Sequence, residues 1–143
     1  AAGAGVAPFI ALCEERAMRS KDELASLPPW LMFIGCRRSG DALPHADRLN
    51  YFLEAGVLQD LIVVESRQES GKRQLVQDAL SFHSDRLCRL LYPAQHANSG
   101  LFLVCGSAKM GAEVRQVVSR AIMKRDGCIE DLEARGGYVA ELW

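Results

Sequence analysis

The sequence lacks the features that would mark several large classes of protein. No apolar stretch among its 143 residues approaches the roughly 20 needed to cross a bilayer, and no basic segment leads into an apolar run, so neither a membrane span, nor a leader, nor direct membrane contact is expected. Charge of one sign is also missing. With 17 Lys and Arg against 18 Asp and Glu, the net charge of -1 creates no field to recruit nucleic acid, and any anion site must be local. The five cysteines, Cys13, Cys36, Cys88, Cys105 and Cys128, are odd in number, widely spaced and without a C-x-x-C pair. That pattern argues against a disulfide framework and a zinc site and suits a reducing, cytoplasmic setting. His45, His83 and His96 have no ligand spacing with Cys or acidic residues; no metal is expected, and all three read as surface histidines. Lys21-Asp22-Glu23-Leu24 spells a retention signal, but that signal is read only at a C-terminus.

What is present is ordinary globular material, 49% hydrophobic and 24% charged, with the length of one compact domain. Residues 1–143 are expected to form that domain, with no internal repeat or second-domain boundary. Strand-like runs alternate with segments of helical period, which predicts an α/β fold: a single open parallel sheet with helices on both faces. Trp30–Gly35, Leu61–Val64 and Leu101–Cys105 are short continuous apolar runs, as in strands buried on both faces. Gly137–Leu142 suits a final strand. Helices are expected over Val6–Met18, Ala46–Ala55, two pieces of Arg73–Leu91 broken near Ser81–Ser84, Met110–Arg125 and Ile129–Ala134. Turns or loops are expected at Arg37–Asp41, Glu65–Lys72, Pro93–Gly100 and Gly106–Lys109.

In open parallel sheets, ligands lie beyond the carboxyl ends of the strands, so the residues in those loops carry the functional signal. Gly3-Ala4-Gly5 precedes a helix, where backbone N–H groups can approach a pyrophosphate. The turn is of the kind that follows a strand; with no Met at its start, the chain reads as a piece excised from a larger protein. The full G-x-G-x-x-G pattern is not met, because Pro8 stands at the third glycine position, and a plain strand-to-helix turn is the alternative. Arg37-Arg38 and Ser66-Arg67 follow two different strand runs and should share one sheet edge. Arginine forks and a serine hydroxyl match a phosphate, with Lys72 and Arg73 adding charge nearby. A pocket for the 2'-phosphate of NADP and a solvated basic surface both fit. Cys105-Gly106 ends the third run, where a thiol reaching a ligand and a structural buried cysteine are both open.

Taken together, the ordered segments Gly3-Ala-Gly-Val-Ala-Pro-Phe9, Glu14-Glu15-Arg16, Gly35-Cys-Arg-Arg38, Ser66-Arg67, Val76-Gln77, Val104-Cys-Gly106 and Trp143 resemble the C-terminal NADPH-binding domain of the diflavin reductases, the family of NADPH-cytochrome P450 reductase. The resemblance covers essentially the whole chain. It implies a ferredoxin-NADP reductase-like nucleotide-binding domain whose FAD and FMN domains lie outside this sequence. It places the pyrophosphate on Gly3, Ala4 and Gly5. Arg37, Ser66 and Arg67 then surround the 2'-phosphate, Lys72 or Arg73 assists, and Gln77 joins the cofactor-binding set. Cys105, Gly106 and Glu141 fall near the nicotinamide. Trp143 covers the flavin ring, and without flavin it should be loosely held or packed on a neighbour. The implied activity of the parent protein is that of an NADPH-hemoprotein reductase: hydride passes from NADPH to FAD, and electrons pass through FMN to a haem-protein acceptor. The parent would be cytosolic or on the cytosolic face of the endoplasmic reticulum, and the isolated chain inactive.

The chain departs from the family pattern in several places. Ala4 stands where a hydroxyl residue is usual, Leu75 where a Tyr contacts the 2'-phosphate, Ser107 for an Asp, and Glu141 for an Asp. The turn near Lys109-Met110 is one residue short. These changes leave open a catalytically impaired nucleotide-binding or regulatory module of the same fold. A sulfite reductase flavoprotein, a methionine synthase reductase and an iron-sulfur-assembly reductase would share the same segments.

Overall fold

The computed structural model describes residues 1–37, 43–66, 74–93 and 100–143. The chain divides into two compact units, Ala1–Leu75 and Val76–Trp143, each with its own pair of parallel strands.

In the first unit, Gly3–Val6 form a 3-10 turn that runs into α1 (Ala7–Ala17). Pro8 lies in the first turn of α1, where a missing N–H leaves no acceptor unpaired. Helix α1 buries Ile10, Cys13 and Arg16, a stripe of three-residue spacing. A second helix, α2 (Lys21–Ser26), was not anticipated. Its capping box is legible once sought: the Ser20 hydroxyl accepts from the Glu23 amide at 3.3 Å, and the Glu23 carboxylate accepts from the Ser20 amide at 2.8 Å. Strand β1 (Leu31–Cys36), helix α3 (Ala46–Glu54) and strand β2 (Asp60–Glu65) follow. Gly56, at φ +73°, supplies the left-handed residue that ends α3.

Strands β1 and β2 pair in parallel from Leu31↔Asp60 to Cys36↔Glu65. On the other side of β1, Ala2 bridges Gly35 in parallel; the Gly35 amide donates to the Ala1 carbonyl at 2.9 Å. Strand β1 is thus flanked on both edges, and Met32, Phe33 and Ile34 are buried. Strand β2 differs from the expectation of burial on both faces. Only Val64 is buried, and Val63 is 37% exposed; among the described residues β2 is paired along one side only, and such a strand is less completely covered than one flanked on both edges. The core gathers Val6, Ile10, Leu49, Phe52, Val57 and Leu58 between these elements.

In the second unit, α4 (Val76–Phe82) and α5 (Ser84–Leu91) are separated at His83, within the interval where the break was expected. Strand β3 (Phe102–Gly106) leads through Ser107 into α6 (Ala108–Ile122), prolonged by a 3-10 turn over Met123–Arg125. The helix begins two residues earlier than its apolar period suggests. The Ser107 hydroxyl accepts from the Met110 amide at 3.3 Å, and with that cap Ala108 and Lys109, expected in a turn, open the helix. Helix α7 (Ile129–Ala134) and strand β4 (Tyr138–Leu142) close the chain. Strand β4 runs parallel to β3, from Phe102↔Tyr138 to Gly106↔Leu142. Helix α6 buries Val114, Val117, Val118, Ala121 and Ile122, and α4 and α5 pack against it.

The α/β class and the parallel strands are therefore present. The described strands pair as two two-stranded parallel ladders, β1–β2 and β3–β4. Among the described residues, no helix is long and apolar enough to cross a membrane, and no cluster of His, Cys, Asp and Glu could hold a metal.

Candidate functional site at the carboxyl ends of the strands

The parallel bonding of the first unit brings three segments of the sequence to one edge. Ala2 is level with Gly35, so Gly3–Gly5 emerge beside the end of β1. Arg37 follows β1 directly, and the Ser66 amide donates to the Cys36 carbonyl at 2.9 Å, which sets Ser66 at the end of β2. Neighbouring strands lie about 5 Å apart, and the glycine turn, Arg37 and Ser66 occupy consecutive lanes. Gly3 has φ +55° with nothing near the place of a Cβ, so its backbone is open to close approach. Ala4 is exposed and adds no side-chain donor, and Gly5 is buried with its amide on the Ala2 carbonyl at 3.1 Å. Arg37 is exposed and Ser66 half-buried. Burial, then the Glu65 carboxylate, pushes the neighbouring Cys36 thiol up. Arg67, Lys72 and Arg73, together with Arg38 and His96, lie outside the described residues.

The second unit brings its candidates to the end of β3–β4. Cys105 is opposite Glu141 in the register, and it is 5% exposed. Burial first, and the Glu141 carboxylate second, push its thiol up, so it is a protonated thiol at neutral pH rather than a nucleophilic thiolate. Gly106, at φ 155°, leads into the Ser107 cap. For Trp143 the expectation without flavin is a loosely held residue or one packed on a neighbour, and its backbone is bonded to neighbouring segments. Its amide donates to the Gly106 carbonyl at 3.1 Å and its carbonyl accepts from the Ala108 amide at 3.0 Å, while its ring is left 63% exposed. Two backbone bonds continue the ladder past β4 and fix where the indole begins.

Gln77 stands in the first turn of α4, where its side-chain amide donates to the Glu113 carboxylate of α6. Glu113 went unnoticed in the sequence, since nothing in spacing alone ties position 113 to position 77. Arg16, noted only as part of a motif, proves to be a buried cation. It is 6% exposed, donates to the Pro28 carbonyl at 2.9 Å and sits 4.5 Å from the centre of the Trp30 ring. A hydrogen bond and an aromatic face offset its burial in part, while its Nε is buried with no hydrogen-bond partner; these contacts place it beside the start of β1. His45 is exposed at the start of α3, and His83 is partly buried edge-on to Phe82.

No protein-family model matches the chain. Among individual proteins, it is 36% identical over 140 residues to a methionine synthase reductase of Bos taurus, which covers 92% of this chain and 19% of that protein. It is 31% identical over 151 residues to an NADPH–cytochrome P450 reductase of Aspergillus terreus, covering 99% of this chain and 21% of the relative. A cytochrome P450 reductase of Dictyostelium discoideum is 27% identical over 150 residues. The chain spans about a fifth of the length of these curated relatives. Over nearly all of its residues the chain is thus similar to reductases of both kinds, which match the diflavin reductase family.

Proposed function

We propose that residues 1–143 act as one NADPH-binding domain of a diflavin reductase, with the one-sheet fold of ferredoxin-NADP reductase-like nucleotide-binding domains. The observation that carries this reading is the edge of the first unit, where the glycine turn, Arg37 and Ser66 end three adjacent parallel lanes. An open backbone at a positive-φ glycine suits a pyrophosphate, and a cation beside a hydroxyl suits a phosphate monoester. Arg67, with Lys72 or Arg73, completes the 2'-phosphate set in this proposal. Gln77, Cys105, Gly106, Glu141 and Trp143 serve the remainder of the dinucleotide and the flavin-facing end.

Bound NADPH would supply hydride to FAD of the parent protein, with FMN passing electrons to a haem-protein acceptor. The part of these residues is orientation: holding the dinucleotide by its phosphates and limiting the geometries open to its reactive ring. Methionine synthase reductase and cytochrome P450 reductase are both named among the relatives, and the acceptor of this protein belongs to the same proposal, in a cytosolic or cytosol-facing setting.

Titration of the chain with 2',5'-ADP and 5'-AMP, followed by calorimetry or chemical shifts, tests the assignment. Clear preference for the 2'-phosphorylated ligand is expected. Equal affinity, or no binding of either, overturns it.

A further inference from the structure

Within the second unit, Arg115 of α6 makes a two-pronged contact with Glu133 of α7. Its Nε donates to Oε1 at 2.6 Å and its Nη2 to Oε2 at 2.8 Å, while the same Nη2 reaches Glu130 at 3.1 Å. Helix α7 has only six residues, too few to be stable without tertiary support. Ile129 and Leu132 bury one stripe of it. A single i, i+3 stripe holds a short helix against the core but leaves its rotation weakly defined. Glu130 and Glu133 form the adjacent i, i+3 stripe, and Arg115 engages both, so rotation of α7 is set by a second line of contact.

The setting of α7 is passed on to β4 within a few residues. Gly136, at φ +71°, turns the chain out of the helix, with its amide on the Glu133 carbonyl at 2.9 Å and the Gly137 amide on the Leu132 carbonyl at 2.8 Å. The Gly137 carbonyl then accepts from the Phe102 amide at 2.8 Å, which starts the β3–β4 ladder. Tyr138 stacks on Phe102, centroids 5.6 Å apart and planes 4° from parallel. Burial pushes the Tyr138 hydroxyl up to about 12, with the Arg115 charge lowering and the Glu133 charge raising it to lesser degrees.

We propose that Arg115 is a positioning residue: its fork on Glu133, with Glu130 alongside, sets the rotation of α7 and so the register in which β4 presents Glu141 and Trp143 beside Cys105 and Gly106. The functional meaning of that register rests on the NADPH-domain proposal; the placement of β4 by Arg115 does not.

Amide hydrogen exchange resolved by NMR tests the idea in the whole chain. Arg115→Met keeps the apolar stem and removes the fork. Exchange at Phe102 and Trp143, the amides bonded at the two ends of the ladder, should quicken roughly threefold, the scale of an exposed charge network, with Val118 in the middle of α6 unchanged. Arg115→Lys should not restore the original rates, because one ammonium cannot match both carboxylate oxygens as a guanidinium does. Should Arg115→Met disturb the core, Glu133→Gln gives the same reading with smaller change, and the same local pattern is expected. Unaltered ladder exchange, an equal rise at Val118 in both variants, or full restoration by lysine overturns the proposal. Failure of the unaltered chain to bind 2',5'-ADP would remove the NADPH assignment and leave the exchange result intact.

Discussion

The two parallel ladders end in opposite ways. Just beyond β1 and β2 stand an exposed cation, Arg37, and a half-buried hydroxyl, Ser66. Beyond β3–β4 it closes on itself: Trp143 is bonded through both backbone groups, Ser107 caps α6, and Cys105 is enclosed. The first edge offers charge and donors to an incoming anion at little cost in desolvation. The second offers fixed geometry and a protonated thiol. On the proposed function the first edge takes the phosphates and the second aligns the reactive ring, and the two differ in the matching way, because affinity for phosphate comes from charge-assisted donors and alignment comes from rigidity.

The largest effects expected test whether the difference is confined to the edges. Leu49 in the first unit and Leu132 in the second are both fully buried. Leu49→Ala and Leu132→Ala should each lower stability by about 2–5 kcal/mol in chemical denaturation. Losses differing by more than that range would mean that the cores, and not only the strand ends, are built differently. Next comes the cationic edge. Arg67→Ala should reduce the preference for 2',5'-ADP over 5'-AMP about tenfold, the size of a lost charge-assisted hydrogen bond, with 5'-AMP affinity nearly unchanged; equal weakening of both ligands would make Arg67 a structural residue.

The smallest effect is electrostatic and belongs to the second unit. The hydrogen bonds from Arg115 hold the Glu133 carboxyl below the usual range, and Glu130 is lowered first by Cys128, then by its own backbone and Arg115. A lowered folded value means that the stabilisation is present above the unfolded carboxylate value of about 4.3 and is lost as pH falls through the folded value. Acid titration should therefore loosen α7 and β4 below about pH 4, as read by exchange at Phe102 and Trp143, and Arg115→Met should flatten that dependence. An unchanged acid response in the variant would separate the pair from the ladder.

Much of this was legible along the chain, because the signals are local. The break between α4 and α5, the end of α3 at Gly56 and the span of α7 follow from apolar period and from glycine placement. Helix α2 lacks a long apolar period that would announce it, with Leu24 its one buried residue, although Ser20 and Glu23 carry its capping box. The start of α6 was placed late because apolar period reports the buried face and not the cap at Ser107. The exposure of Val63 was not legible, for an apolar run looks the same in a central strand and at an edge. Trp143 shows the same limit: a final residue carries no sign of the backbone partners that hold it, and Gly106 and Ala108 are over thirty residues away.

By itself the sequence determined the alternation of helix and strand, the absence of a metal or disulfide pattern, and the motif order shared with diflavin reductases, since each depends on residue types at short range. Only the tertiary structure decided which carboxyl ends meet, that Ala2 rather than a nearer segment flanks β1, that Glu113 takes the amide of Gln77, and that Arg115 braces α7. These are contacts between positions far apart in the chain, and they form only because burying the apolar faces of the strands and helices leaves few ways for the ends of the elements to come together.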